Sequence, residues 1–120
     1  MARRPGGGVV KVSPGFNDQL MAMAAHRYCL GRASYIVGSC LEWLRNTWAD
    51  FSGDTRRVMV RDTAEAIMGG NAGHDMDVRG WRDFLAWAFA DLSDADKAWV
   101  RQAVAHKNKP WPLDKESADV

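Results

Sequence analysis

His26 and Cys29 stand three residues apart, the spacing at which two side chains share one face of a helix. An imidazole beside a thiol favours the nucleophilic thiolate. A Cys–His nucleophile also needs an oxyanion site and a group that orients the histidine. No pattern in the chain supplies either, so Cys29 reads first as a small core residue. Structural zinc needs four Cys or His ligands in tight pairs, whereas Cys29 and Cys40 are eleven apart and His26, His74 and His106 are scattered. His74-Asp75-Met76-Asp77 offers donors for a loosely held cation, but a polar loop entering a helix accounts for the same residues. No GxxxxGK[ST] loop, strand-linked GxGxxG or HExxH occurs, and Gly6-Gly7-Gly8 reads as a linker. The expectation is therefore a non-enzymatic chain with no catalytic, cofactor or metal residues.

The remaining chemistry is that of binding. Arg56, Arg57 and Arg61 fall within one helical segment, and Arg3, Arg4 and Lys11 lie near the start with no acid among them. Together they form a candidate phosphate-contacting set. Asp54, Asp62 and Glu65 share the segment with its arginines, however, and cancel its charge, so a solvated face of ion pairs is the plainer reading. Six tryptophans in 120 residues is a surplus, and Trp with Arg and Tyr dominates binding hot spots. Trp87, Trp99 and Trp111 are the exposed candidates.

Those residues need elements to carry them. The length suits one domain, and 47% hydrophobic with 26% charged residues is an ordinary globular composition. Sixteen basic against fifteen acidic residues argues against a dedicated DNA-wrapping protein and against an acidic nucleic-acid mimic. No apolar run approaches the roughly 18 residues of a membrane span, and Met1–Gly8 has no apolar stretch after its basic residues, so neither a secretory signal nor a lipid anchor is expected. A reduced cytoplasmic pair of cysteines is expected, with a single disulfide as the alternative.

All four prolines lie outside 15–109, which fits a mainly helical domain. The pattern predicts a flexible basic arm over 1–15, a helical domain over 16–107 and a polar tail over 108–120 with Trp111 as anchor. Within the domain, helix one runs 17–30, capped by Asn17 or Asp18, with Phe16, Leu20, Met23, Ala24 and Arg27 as its stripe and Gly31 at its end. Helix two, 34–49, carries Val37, Cys40, Leu41, Leu44 and Trp48 and is the expected central helix. Helix three runs from a cap at Ser52 or Asp54 to Met68, with Val60, Ala64, Ile67 and Met68 inward. Helix four opens at Asp77 and bears Trp81, Phe84, Leu85, Trp87 and Ala88, apolar round much of its girth, so that a homodimer through one flank is expected. Ser93 caps a fifth. The fold class is all-α, a compact bundle of about five helices.

The junction of helices one and two, Arg27-Tyr28-Cys29-Leu30-Gly31-Arg32 followed by Tyr35, places two arginines and two tyrosines around a glycine. Arginine forks satisfy free carbonyls at a helix end or pair with carboxylates, and Asp62, Glu65 and Asp83 are natural partners. The segment is a structural clamp or a polar recognition patch. With Glu42-Trp43-Leu44, Val60–Ile67 and Asp75–Trp81, it resembles a class of small helical proteins of phages and prophages bearing an R-Y-x-L-G-R-x-x-Y motif, over roughly residues 17–87. That resemblance implies a shared fold and, through phage origin, a host-directed inhibitor of the anti-CRISPR kind acting in the cytoplasm of a bacterial host. The expected partner is a host protein or ribonucleoprotein complex, met through Arg27, Tyr28, Arg32, Tyr35, Arg56, Arg57, Arg61, Trp87, Trp99 and Trp111. The alternative is a nucleic-acid-binding accessory protein that uses the arginine-rich patches.

Overall fold

The computed structural model describes residues 15–32 and 34–114, and the side chains of Phe16, Ser34 and Tyr35 are outside that description. Arg3, Arg4 and Lys11 of the expected arm, and residues 115–120 of the expected tail, also lie outside the described residues. Five α-helices follow one another: α1 (Phe16–Cys29), α2 (Ser34–Thr47), α3 (Gly53–Met68), α4 (Asp75–Ala90) and α5 (Asp94–Ala103). Single 3-10 turns, Trp48–Asp50 and Ala105–Lys107, extend α2 and α5, and no strand occurs among the described residues.

Local chemistry sets the helix ends. The Ser52 and Ser93 hydroxyls accept from the backbone N–H groups of Thr55 (3.2 Å) and Asp96 (3.1 Å), the expected caps of α3 and α5. Gly31 follows α1 at φ +80°, and a Cβ there would meet the Asn71 carbonyl oxygen at 2.9 Å, so the α1–α2 corner needs glycine. Two starts differ from expectation. Gly15, with no side-chain bond, precedes α1, and Asn17 and Asp18 stand exposed inside it. α4 begins at Asp75, two residues before the expected cap, because Asp77 reaches back to accept from the His74 N–H at 3.1 Å.

The central helix is α3, packed against α1, α4 and α5, while α2 lies on α4 and α1. The apolar stripe of α2 pointed to it as the centre, but α3 buries Thr55, Met59, Val60, Asp62, Thr63, Ala64 and Met68. Thr63 Oγ1 donates to the Met59 carbonyl at 2.9 Å within the helix, and Thr55 bonds to Gln19 of α1. Those polar positions hide α3 from a count of apolar residues. Around it Leu44, Met59, Trp81, Phe84, Leu85 and Val100 are fully buried. Trp48 and Trp81 meet Phe84 edge-on at 5.6 and 6.0 Å, a favourable aromatic geometry.

A disulfide between Cys29 and Cys40 joins the end of α1 to α2, in place of the expected reduced pair. It closes a segment whose ends are 11 residues apart. Chain-entropy reasoning for a loop of that length gives about 3 kcal/mol of stabilisation. Reduction, or paired Cys29→Ser and Cys40→Ser, is expected to lower the unfolding free energy by about that amount in urea titrations. An unchanged midpoint on reduction would refute the contribution.

Candidate interaction surface

α1 turns several of its apolar residues outward. At 100° per residue, Ala22, His26 and Cys29 fall on one side of the helix, and all three are buried. Leu20, Ala24 and Tyr28 fall on the other, with Met21 beside them. Leu20 is 45% exposed, Met21 71% and Tyr28 61%, and Ala24 and Ala25 are also exposed. Of the expected stripe, Leu20, Ala24 and Arg27 are exposed, while Met23 packs against the core.

Directional bonds hold the helix this way round. Gln19 accepts from the Ser52 backbone N–H at 2.9 Å and from the Thr55 hydroxyl. His26 Nε2 lies 2.8 Å from Thr63 Oγ1. Because that hydroxyl gives its proton to the Met59 carbonyl, the imidazole donates from Nε2. Trp81 lies edge-on to the ring at 5.7 Å. Burial, reinforced by the Arg27 charge, lowers the His26 pKa from 6.5 to about 3, so the ring is neutral at ordinary pH. The pair His26–Cys29, three residues apart in sequence, is therefore split between Thr63 and Cys40, and the sulfur is not a thiol.

Beside the exposed stripe runs a groove of about 490 Å³ between α1 and the end of α2. Met21, Ala22, Ala25, Trp43 and Phe51 supply its apolar walls, and Asp18 and Asp50 are among its lining residues. The Trp43 and Phe51 rings meet edge-on at 6.4 Å, which fixes one wall. A groove with apolar walls of this kind suits apolar side chains from another chain segment. None of the groove-lining side chains was expected as a binding residue from the sequence, where Asp18 reads as a cap and Trp43 belongs to the resembling segment. The signal that could have found them is the second face of α1, which is apolar beside a first face carrying Ala22, His26 and Cys29.

The expected binding residues disperse over the surface. Arg32 donates from Nε to the Tyr28 carbonyl at 2.8 Å and lies 4.4 Å from the Tyr28 ring, tying the helix end as a clamp does. Arg27 sits 3.6 Å from Asp62. Tyr35's side chain lies outside the described residues. Arg56 meets Asp91 at 3.4 Å, Arg57 meets Asp96 at 3.2 Å, and Arg61 meets Asp62 at 3.1 Å. Trp87 is 41% exposed, with the Arg45 guanidinium 5.4 Å from its ring. Trp99 is half-buried beneath Arg57, at 4.5 Å. Trp111 is buried, its ring 5.0 Å from Phe89, which corrects the expectation that it stands free. Pro112 is buried too, so the chain stays packed on the bundle past residue 107. Among the described residues no three His, Cys, Asp or Glu side chains converge on a metal-sized site. No helix among them is long and apolar enough to cross a membrane.

No protein-family model, no curated protein and no solved structure matches this chain.

The buried imidazole has a consequence for acid stability. With the folded pKa near 3 and the unfolded one near 6.5, the unfolded chain binds the extra proton between those values. The stabilisation is complete above pH 6.5 and is lost as pH falls towards 3, at up to about 1.4 kcal/mol per pH unit. Urea titrations between pH 7 and pH 5 should show this fall, and His26→Leu should flatten it. An equal slope in both proteins would refute it.

Proposed function

We propose that the chain is a non-catalytic docking protein whose outward apolar face of α1, with the adjoining groove, seats on a host protein or ribonucleoprotein complex and blocks or modulates it. The observation that carries this reading is that Leu20, Met21 and Tyr28, three large side chains on one turn-spaced face, stand 45–71% exposed on a helix whose other face is buried. Contiguous exposed apolar surface of this kind marks interaction sites in soluble domains. Trp87, with Arg45 over its ring, adds a second aromatic exposed on the bundle. The resemblance to small phage and prophage proteins favours an inhibitor directed at a bacterial host, of the anti-CRISPR kind.

Tagged protein expressed in a bacterial host should retain a specific partner identified by mass spectrometry. Leu20→Glu with Met21→Glu, both at exposed positions, should lose that partner while circular dichroism and unfolding midpoint stay as in the parent. Loss of two such contacts should weaken binding by about 2 kcal/mol or more, a thirtyfold change in affinity. A partner retained by this double variant, or the absence of any partner, would overturn the reading.

A further inference from the structure

We propose that the outward face of α1 is also the contact between two copies of the chain, packed antiparallel about a two-fold axis that passes between Ala24 and Ala25. The proposal goes beyond the docking reading: it names a second occupant of the same face, which a host partner has to displace.

The face is self-complementary. Asp18, Met21, Ala25 and Tyr28 follow at spacings of three, four and three, so they share one strip of the helix, and all four are exposed. Arg32 closes the strip, with its guanidinium 4.4 Å from the Tyr28 ring and its Nε donating to the Tyr28 carbonyl at 2.8 Å. An acid thus stands at one end and a base at the other, with apolar side chains between them. Among the described residues neither Asp18 nor Arg32 belongs to an ion pair. Laid antiparallel, two such strips set each acid beside the other copy's base, and the two-fold makes every contact twice.

The spacing fits that axis. At a rise of about 1.5 Å per residue, Met21 and Tyr28 lie about 5 Å from it on opposite sides, so Met21 of one copy meets Tyr28 of the other. Thioether against ring is a favourable contact. Asp18 lies about 10 Å from the axis, level with the segment beyond Tyr28 that carries Arg32 in the second copy. Alanines at the crossing let the two backbones approach closely. A two-fold across the helices keeps the same flank of each on the same side. The groove beside Met21, walled by Trp43 and Phe51, therefore receives the Tyr28 ring of the second copy. The flank of α4, where the sequence suggests a dimer, is less open, since α2 packs on α4 and the Arg45 guanidinium lies 5.4 Å from the Trp87 ring.

One helix face and its groove fall short of the roughly 20–30 residues a side of a standard interface, so the pair is weak, with dissociation on the order of 10 μM or above. Sedimentation equilibrium of the full chain from about 1 μM to 1 mM reads it directly. The average mass should rise from 13.4 kDa towards twice that value. Asp18→Arg and Arg32→Asp should each weaken self-association about tenfold or more, because each sets like charges together at both ends of the pair. An equimolar mixture of the two variants restores both opposite-charge contacts and should associate as the parent does, which a purely structural role for Arg32 would not produce. Ala25→Glu, exposed and beside the axis, should abolish association with the unfolding midpoint unchanged, and it leaves the Arg32 clamp intact. A mass fixed at 13.4 kDa over the whole range would overturn the proposal. So would association that survives Ala25→Glu, or a mixture no tighter than either variant alone. No host partner enters these measurements, so their failure is distinct from failure of the docking reading, which the capture experiment decides.

Discussion

The Nε2–H of His26 has its acceptor inside the core, in the hydroxyl of Thr63 2.8 Å away, and this bond selects the side of α1 that faces in. A buried imidazole N–H left without an acceptor costs about 1–3 kcal/mol. Thr63 cannot turn to another acceptor without releasing the Met59 carbonyl. The histidine, the threonine and the carbonyl thus form one chain of donors and acceptors that closes only with α1 in its observed rotation. Gln19 at one end and Cys29 at the other hold that rotation along the helix.

The competing arrangement can be weighed. Turning α1 by half a revolution would bury Leu20 and Met21 more fully, and their present exposure makes that worth about 3 kcal/mol together. It would forfeit the cross-link to Cys40, itself about 3 kcal/mol. It would also break the His26–Thr63 bond and release the Gln19 bonds. The observed rotation wins, and the directional links decide it. The apolar face is left to solvent because the polar face has partners that are sequence-distant and geometrically exacting.

This same fact explains which parts of the fold are legible in the sequence. Ser52 and Ser93 act on neighbours three residues away, and Gly31 ends α1 in a left-handed conformation, so their roles are readable from local pattern. The face of α2 carrying Val37, Leu44 and Trp48 is readable too, since all three are apolar and buried. α1 and α3 are not. The bonds between them are made by Gln19, His26, Thr55 and Thr63, residue types that a search for apolar periodicity passes over, and His26 and Thr63 are 37 positions apart. Trp111 eluded the pattern for a related reason: its site beside Phe89 is built by a helix far earlier in the chain. The arginines were legible as a group but not in their allegiance, since Asp91 and Asp96 belong to the turn after α4 and the first turn of α5.

A helix fixed by its polar edge makes a particular kind of surface. Its exposed apolar side chains do not need a partner to hold the helix in register, because the buried edge already does so. The face is therefore preorganised, and a docking partner need not supply the ordering cost that a loose segment would impose. Leu20 and Met21 stand exposed over that fixed backbone, and the Tyr28 ring beside them carries the Arg32 guanidinium at 4.4 Å. The fixed outward face follows from the placing of one buried histidine opposite one buried threonine.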